Sequence, residues 1–204
     1  MSNWDVIPSD SEIESTIKAV KARGINVILV KNKFEALDAL KKFIPAGSEV
    51  MNGSSTTLNE IGFGELLKSG NHKWKNLHAE ILKETNPDKQ ADLRRKSACS
   101  EYFLGSVNAI SKNGELVACD ASGSRVTAYP GAAKNVILIA GVQKITDSLE
   151  SAMKRIREYV FPLEDARAMK AYGMHSNTSK WVIIEREFNP KRMTLILVKE
   201  KLGF

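Results

Sequence analysis

Gly53, Ser54, Ser55 and Thr56 follow a short apolar run, and Thr57 adds a fourth consecutive hydroxyl. Glycine lets a ligand come close to the backbone, and hydroxyls donate to oxyanions, so this loop suits a small anion or polar ligand. A helix predicted to start here would add free N–H groups. It is not a Walker A loop, because no Gly-Lys-Ser/Thr ending follows. The alternative is a turn and cap: Thr57 and Glu60 match a capping box, which gives Glu60 a structural role. Otherwise Glu60 is a candidate base or nucleophile.

A second cluster is Asp120, Ser122, Gly123, Ser124 and Arg125. Asp120 is an acceptor or base, Ser122 and Ser124 are donors, Gly123 is the flexible point, and Arg125 is a bidentate anion binder. The plain alternative is a surface turn with a solvated Arg125. The third candidate is Lys144, after Gly141, Val142 and Gln143, which could reach a phosphate or carboxylate. Each loop is predicted to follow a strand, and ligands gather at the carboxyl ends of parallel strands. The three together predict one pocket for a small anionic metabolite, with Glu60 and Asp120 as the catalytic candidates.

Other chemistries lack their residues. His72, His78 and His175 are the only histidines, and none belongs to a Ser- or Cys-centred triad. Cys99 and Cys119 cannot fill a zinc site or form a disulfide framework, and both read as small, reduced, buried residues. No metal or cofactor motif is present. The net charge of +6 is spread among acids, and Arg94-Arg95-Lys96 has no interleaved aromatics, so it reads as a solvated helix face rather than a nucleic-acid site. No apolar run approaches the roughly 20 residues of a membrane span. The N-terminal residues have neither a basic nor an apolar signal region, so a cytoplasmic protein is expected. A homo-oligomer is compatible with all of this.

The elements that must position these residues alternate. Ser9 and Glu12 predict a capped helix carrying Ile13, Ile17 and Val20, stopped by Gly24. Ile25 to Val30 reads as a buried strand, followed by a helix capped by Asn32 and ended by Pro45. Ser48 to Met51 is the next strand. Helical pieces fill 64–97, with Asn86-Pro87 opening the last. Val107 to Lys112 and Glu115 to Cys119 flank Asn113-Gly114, a signal for a type I′ hairpin. Asn135 to Ala140 is a buried strand. Asp147 and Glu150 predict a capped helix ended by Pro162, with a further helix to Tyr172. Trp181 to Ile184 and Thr194 to Val198 read as a closing strand pair. The expected fold is one α/β domain over residues 1–204: a mainly parallel sheet with helices on both faces, plus an antiparallel hairpin.

Gly53 to Gly62 resembles the early signature of the LUD domain, the lactate-utilization protein family. So do Gly105 to Ile110, Asn113 to Val117, Asp120, Ser122 to Arg125, Lys134 to Ile137, Ala140 to Ile145 and Val198 to Phe204. The resemblance runs from about Ile25 onward, and its specific part is the central run. It implies a fold similar to glucosamine-phosphate isomerases, ribose-phosphate isomerases and CoA transferases. It also implies a place in lactate oxidation beside iron–sulfur partner proteins. The alternative implied by the superfamily is a stand-alone sugar-phosphate isomerase or acyl/CoA transferase using Glu60 or Asp120. Many relatives carry a cysteine-rich segment before the strand Trp181 to Ile184. Here Tyr172 to Lys180 contains no cysteine, so that segment cannot ligate an iron–sulfur cluster.

Overall fold

A computed structural model describes residues 4–204 of the chain. The helices are α1 (Asp10–Ala22), α2 (Lys33–Phe43), α3 (Thr56–Glu60), α4 (Phe63–Ser69), α5 (Leu77–Lys83), α6 (Pro87–Ser97), α7 (Leu149–Arg155) and α8 (Phe161–Tyr172). The strands are β1 (Asn26–Val30), β2 (Glu49–Asn52), β3 (Lys75–Asn76), β4 (Tyr102–Gly105), β5 (Ala109–Ser111), β6 (Leu116–Asp120), β7 (Asn135–Gly141), β8 (Ile145–Thr146), β9 (Lys180–Ile184) and β10 (Met193–Val198). Two sheets result. The larger has the order β1-β10-β7-β4-β2-β3, and the smaller β8-β5-β6-β9. Every pairing in the larger sheet is parallel.

Strand β7 shows why the central strands are continuously apolar. Successive side chains point to opposite faces, and both faces are covered. Val136, Leu138 and Ala140 join the cluster that contains Ile13 and Val20 of α1. Ile137 and Ile139 join the cluster that contains Ala36 and Leu40 of α2. Strand β10 divides in the same way, Leu195 and Leu197 to one face, Ile196 and Val198 to the other. The smaller sheet packs through Ala109, Val117 and Cys119 against Ala152, Ile156 and Val160.

Local signals set several boundaries. Ser9 and Glu12 form the reciprocal capping box on α1, and Gly24 follows its end at φ +78°. Asn32 accepts from the Phe34 and Glu35 amides, and Asn86 from those of Asp88 and Lys89. Four expectations need correction. The hairpin turn is not type I′, which requires positive φ at both central residues. Only Gly114 has it, at φ +97°, and Gly114 N–H bonds to Ser111 O while Ser111 N–H bonds to Glu115 O. That is a three-residue loop with glycine in the left-handed bulge position. Helix α7 is capped by Ser148, whose side chain accepts from the Ser151 amide, and not by Asp147. Asp147 instead pairs with Lys112 at 2.6 Å.

Pro162 does not stop the helix. Residues Ile156–Val160 form a π-turn between α7 and α8, and Phe161 N–H reaches back to Ile156 O. The wider turn places Pro162 in the first turn of α8, where its missing N–H costs little. The late strands are not a pair. β9 adds to the smaller sheet antiparallel to β6, while β10 sits between β1 and β7. Their sequences carry the reason: β10 is apolar at all but one position and is buried throughout, whereas β9 is partly exposed and fits an edge. Among the described residues no helix is long and apolar enough to cross a membrane.

Candidate functional site

Strands β10, β7, β4 and β2 are neighbours, so the segments leaving their carboxyl ends are neighbours too. From β2 comes Gly53–Thr57, from β4 Ser106–Asn108, from β7 Val142–Lys144, and from β10 the run 199–204. Segments 106–108 and 142–144 then carry the chain into the smaller sheet. There β6 ends in Asp120, and the loop to Arg125 returns toward the larger sheet. The result is a cavity of about 110 Å³ between the sheets, bounded by Ser54, Ser55, Thr56, Thr57, Asp120, Arg125 and Lys144. A water needs roughly 10–15 Å³ on this measure, so a ligand of a few heavy atoms fits. Ser106, Asn108, Cys119, Ile156, Glu164, Arg167 and Phe204 complete the wall.

Lys144 is the floor. It is 2% exposed, and its Nζ donates to Thr57 Oγ1 at 3.0 Å, Ser106 Oγ at 3.1 Å and Val107 O at 3.1 Å. Among the described residues it forms no ion pair. Burial, then the nearby guanidiniums of Arg155 and Arg125, hold its amine well below the usual lysine basicity, with Glu60 pulling the other way. Lys144 is buried because the short turn 142–144 leads the chain under the second sheet. Gly203 closes the floor from below: a Cβ there would sit 2.3 Å from Thr57 Oγ1 and 3.3 Å from Lys144 Nζ.

Asp120 and Arg125 form the opposite wall. Arg125 Nε lies 3.5 Å from Asp120 Oδ2, which also accepts from the Arg125 amide at 2.8 Å. Arg125 Nη2 donates to Cys119 O at 2.8 Å. Burial raises the Asp120 pKa, but the Arg125 charge and the amides of residues 122, 123 and 125 outweigh it, and the net direction is downward. Asp120 is therefore a carboxylate acceptor at neutral pH. The stem of Arg125 lies on Gly53, where a Cβ would meet Arg125 Cγ at 2.2 Å. Gly53 thus serves the side chain of the second loop, and a ligand meets the hydroxyls beyond it.

The other predicted residues sit elsewhere. Ser122 and Ser124 are exposed and turn toward Asp120 over contacts of 3.5 Å, outside the cavity wall, with Gly123 between them at φ +92°. Glu60 is exposed, and its Oε2 accepts from Gly203 N–H at 2.6 Å. The capping box of Thr57 and Glu60 is replaced by Ser55, which accepts from the Leu58 amide at 3.3 Å. Glu60 therefore fastens the run after β10 instead of its own helix. Helix α3 has only five residues, Thr56–Glu60, with Ser55 as its cap. Cys119 is buried and free, with its thiol pushed up to about 11 by burial, whereas Cys99 is exposed and free, contrary to expectation.

Sequence reasoning passed over several wall residues. Thr57 carried a signal, as the fourth hydroxyl of the loop, but was assigned to a cap. Ser106 lay in the Gly105-Ser106 step of the family-like run. Glu164 and Arg167 pair at 2.6 and 2.7 Å on α8, and nothing in their spacing marks a site. Arg155 is fully buried and holds up the wall, its Nη1 donating to Asn108 O at 2.6 Å and its guanidinium 5.1 Å from the Tyr159 ring centre.

A parallel sheet, a smaller mixed sheet and a polar cleft at their junction define an α/β protein with a cation-bearing cavity at its strand ends. The chain belongs to the LUD domain family, whose model matches residues 13–198. That family is associated with lactate utilization. The fold is similar to the crystal structure of a DUF162 family protein from Deinococcus radiodurans, with a TM-score of 0.54 and 9% identity over 94% of this chain and 99% of that one. No curated protein matches the chain.

Proposed function

We propose that this chain binds a small anionic metabolite, such as a hydroxy acid or a phosphorylated compound, as a component of lactate utilization. The observation that carries the reading is the shared cavity. Arg125 from the smaller sheet and Lys144 from the larger one face the same space as Ser54, Ser55, Thr56, Thr57 and Ser106. The Arg125 guanidinium and the hydroxyl donors converging on this space favour an anion. Arg125 is the charge clamp, Ser54 to Thr56 are the hydroxyl donors, and Asp120 orients Arg125 and accepts from a ligand hydroxyl. The family resemblance implies iron–sulfur partner proteins as electron acceptors; the segment Tyr172 to Lys180 has no cysteine to hold a cluster itself.

The test is a thermal-shift screen of phosphate, sulfate, lactate, sugar phosphates and CoA esters on the parent and on Arg125→Ala. At least one small anion should stabilise the parent. The variant should bind it roughly 10- to 150-fold more weakly, the equivalent of losing a charge-assisted bond of about 1.5–3 kcal/mol. Equal stabilisation of both proteins would contradict the reading.

A further inference from the structure

Lys144 is a buried amine at the floor of the cavity. Its Nζ touches only neutral oxygens, two hydroxyls and one carbonyl, at 3.0–3.1 Å. An uncharged amine fits this shell: two N–H groups donate, and a hydroxyl donates to the lone pair. Thr57 can do so, because its other possible acceptors, Ser106 Oγ at 3.3 Å and Leu202 O at 3.4 Å, lie farther away. The charged groups that act on the amine are Arg155, Arg125 and Glu60, and the two guanidiniums favour its neutral form. A desolvated lysine beside cationic groups is a nucleophile at neutral pH.

We infer that Lys144 is a carbonyl-capturing amine, condensing with the carbonyl carbon of a small 2-oxo acid whose carboxylate is held by Arg125. This rests on the anion-pocket reading above. The Nζ lone pair attacks the carbonyl carbon, a C–N bond forms, and the π pair moves to oxygen. That oxygen takes one amine proton, relayed through the Thr57 or Ser106 hydroxyl, to give a carbinolamine. The second amine proton then passes to the carbinolamine hydroxyl, which leaves as water as the nitrogen lone pair forms the C=N bond. No electrons are gained or lost. The cavity size limits the acid to a few carbons, and the ionised Asp120 disfavours a second carboxylate nearby.

The experiment incubates the full chain with pyruvate or glyoxylate and cyanoborohydride, then maps reduced adducts by peptide mass spectrometry. Surface lysines serve as internal references; an unperturbed lysine in solution is about one part in a few thousand uncharged at pH 7, and that fraction rises about tenfold per pH unit. Lys144 should be modified at least about tenfold faster than these at pH 7, with a flatter pH profile. Lactate, which has no carbonyl, should give no adduct, and Lys144→Met should lose the adduct while its melting curve remains cooperative. Site mapping on the parent stands even if that variant does not fold. Adducts spread over surface lysines, with none at Lys144, would overturn the inference. If pyruvate still stabilises the fold in that case, the anion reading survives; if it does not, both fail.

Discussion

The two sheets contribute to one cavity in different ways. The larger sheet is apolar on both faces, and the segments leaving its strand ends deliver Thr57, Ser106 and Lys144 as buried side chains. The smaller sheet has four strands, ends in the partly exposed strand β9, and delivers Asp120 at the end of β6 and Arg125 on the following loop, held by their mutual contacts. The floor of the site is therefore set by packing, and its wall by polar contacts. Loss of packing should unfold the protein, whereas loss of the polar contacts should leave a folded protein with a defective site.

The largest expected effect tests the packing side. Leu195→Ala, at 1% exposure in β10, should cost about 2–5 kcal/mol in chemical denaturation. Ile183→Ala, at 37% exposure in β9, should cost less than about 1 kcal/mol. Equal losses would erase the distinction between the sheets. On the polar side, Asp120→Asn should cost about 1–2 kcal/mol at neutral pH, because the Arg125 charge and amide lose an ionised acceptor. The sign with pH follows from the lowered carboxyl pKa in the folded state. The contribution is present above the unfolded value of about 3.9 and is lost as pH falls through the lower folded one. The acid limb of a stability–pH curve should therefore be shallower in the variant, and an unchanged limb would refute the ionised assignment.

Lys144 has a dependence of the same sign in a different window, because its folded pKa is also lowered. Between that lowered value and the unfolded one of about 10.4, the unfolded chain binds more protons. Its contribution should rise with pH across that window, and Lys144→Met should flatten the rise in a melting series. The smallest effect is that of Glu60→Gln. It weakens one exposed bond to Gly203 N–H and should cost about 0.5–1.5 kcal/mol without abolishing anion binding. Complete loss of binding in that variant would return Glu60 to the site.

The legible parts of the sequence were those where one local rule decides. The capping box of Ser9 and Glu12, the caps at Asn32 and Asn86, and the apolar runs of β1, β7 and β10 all follow from residue type and period. The meeting of Ser54, Arg125 and Lys144 was also legible, because each follows a strand. The errors arose where partners are distant in the chain. The Glu60 carboxylate had an apparent local use at Thr57, but Gly203 came from 143 residues away and took it. Strand β9 had an adjacent apolar partner in β10, yet its exposed face suited the edge beside β6. Pro162 read as a stop because a π-turn leaves no mark in residue type. The burial of Lys144 depends on a second sheet closing over it, and no pattern within residues 141–144 encodes that.

The most direct test of the two-sheet cavity is a double-mutant cycle on anion affinity with Arg125→Ala and Thr57→Val, measured by calorimetry with the anion that stabilises the parent best. The two residues lie on segments of different sheets and share no hydrogen bond among the described residues. If one ligand touches both, each variant should weaken binding, and their effects should be non-additive by about 0.5–3 kcal/mol. Strictly additive losses, or a Thr57→Val protein that binds as the parent does, would show that the two sides do not grip the same molecule.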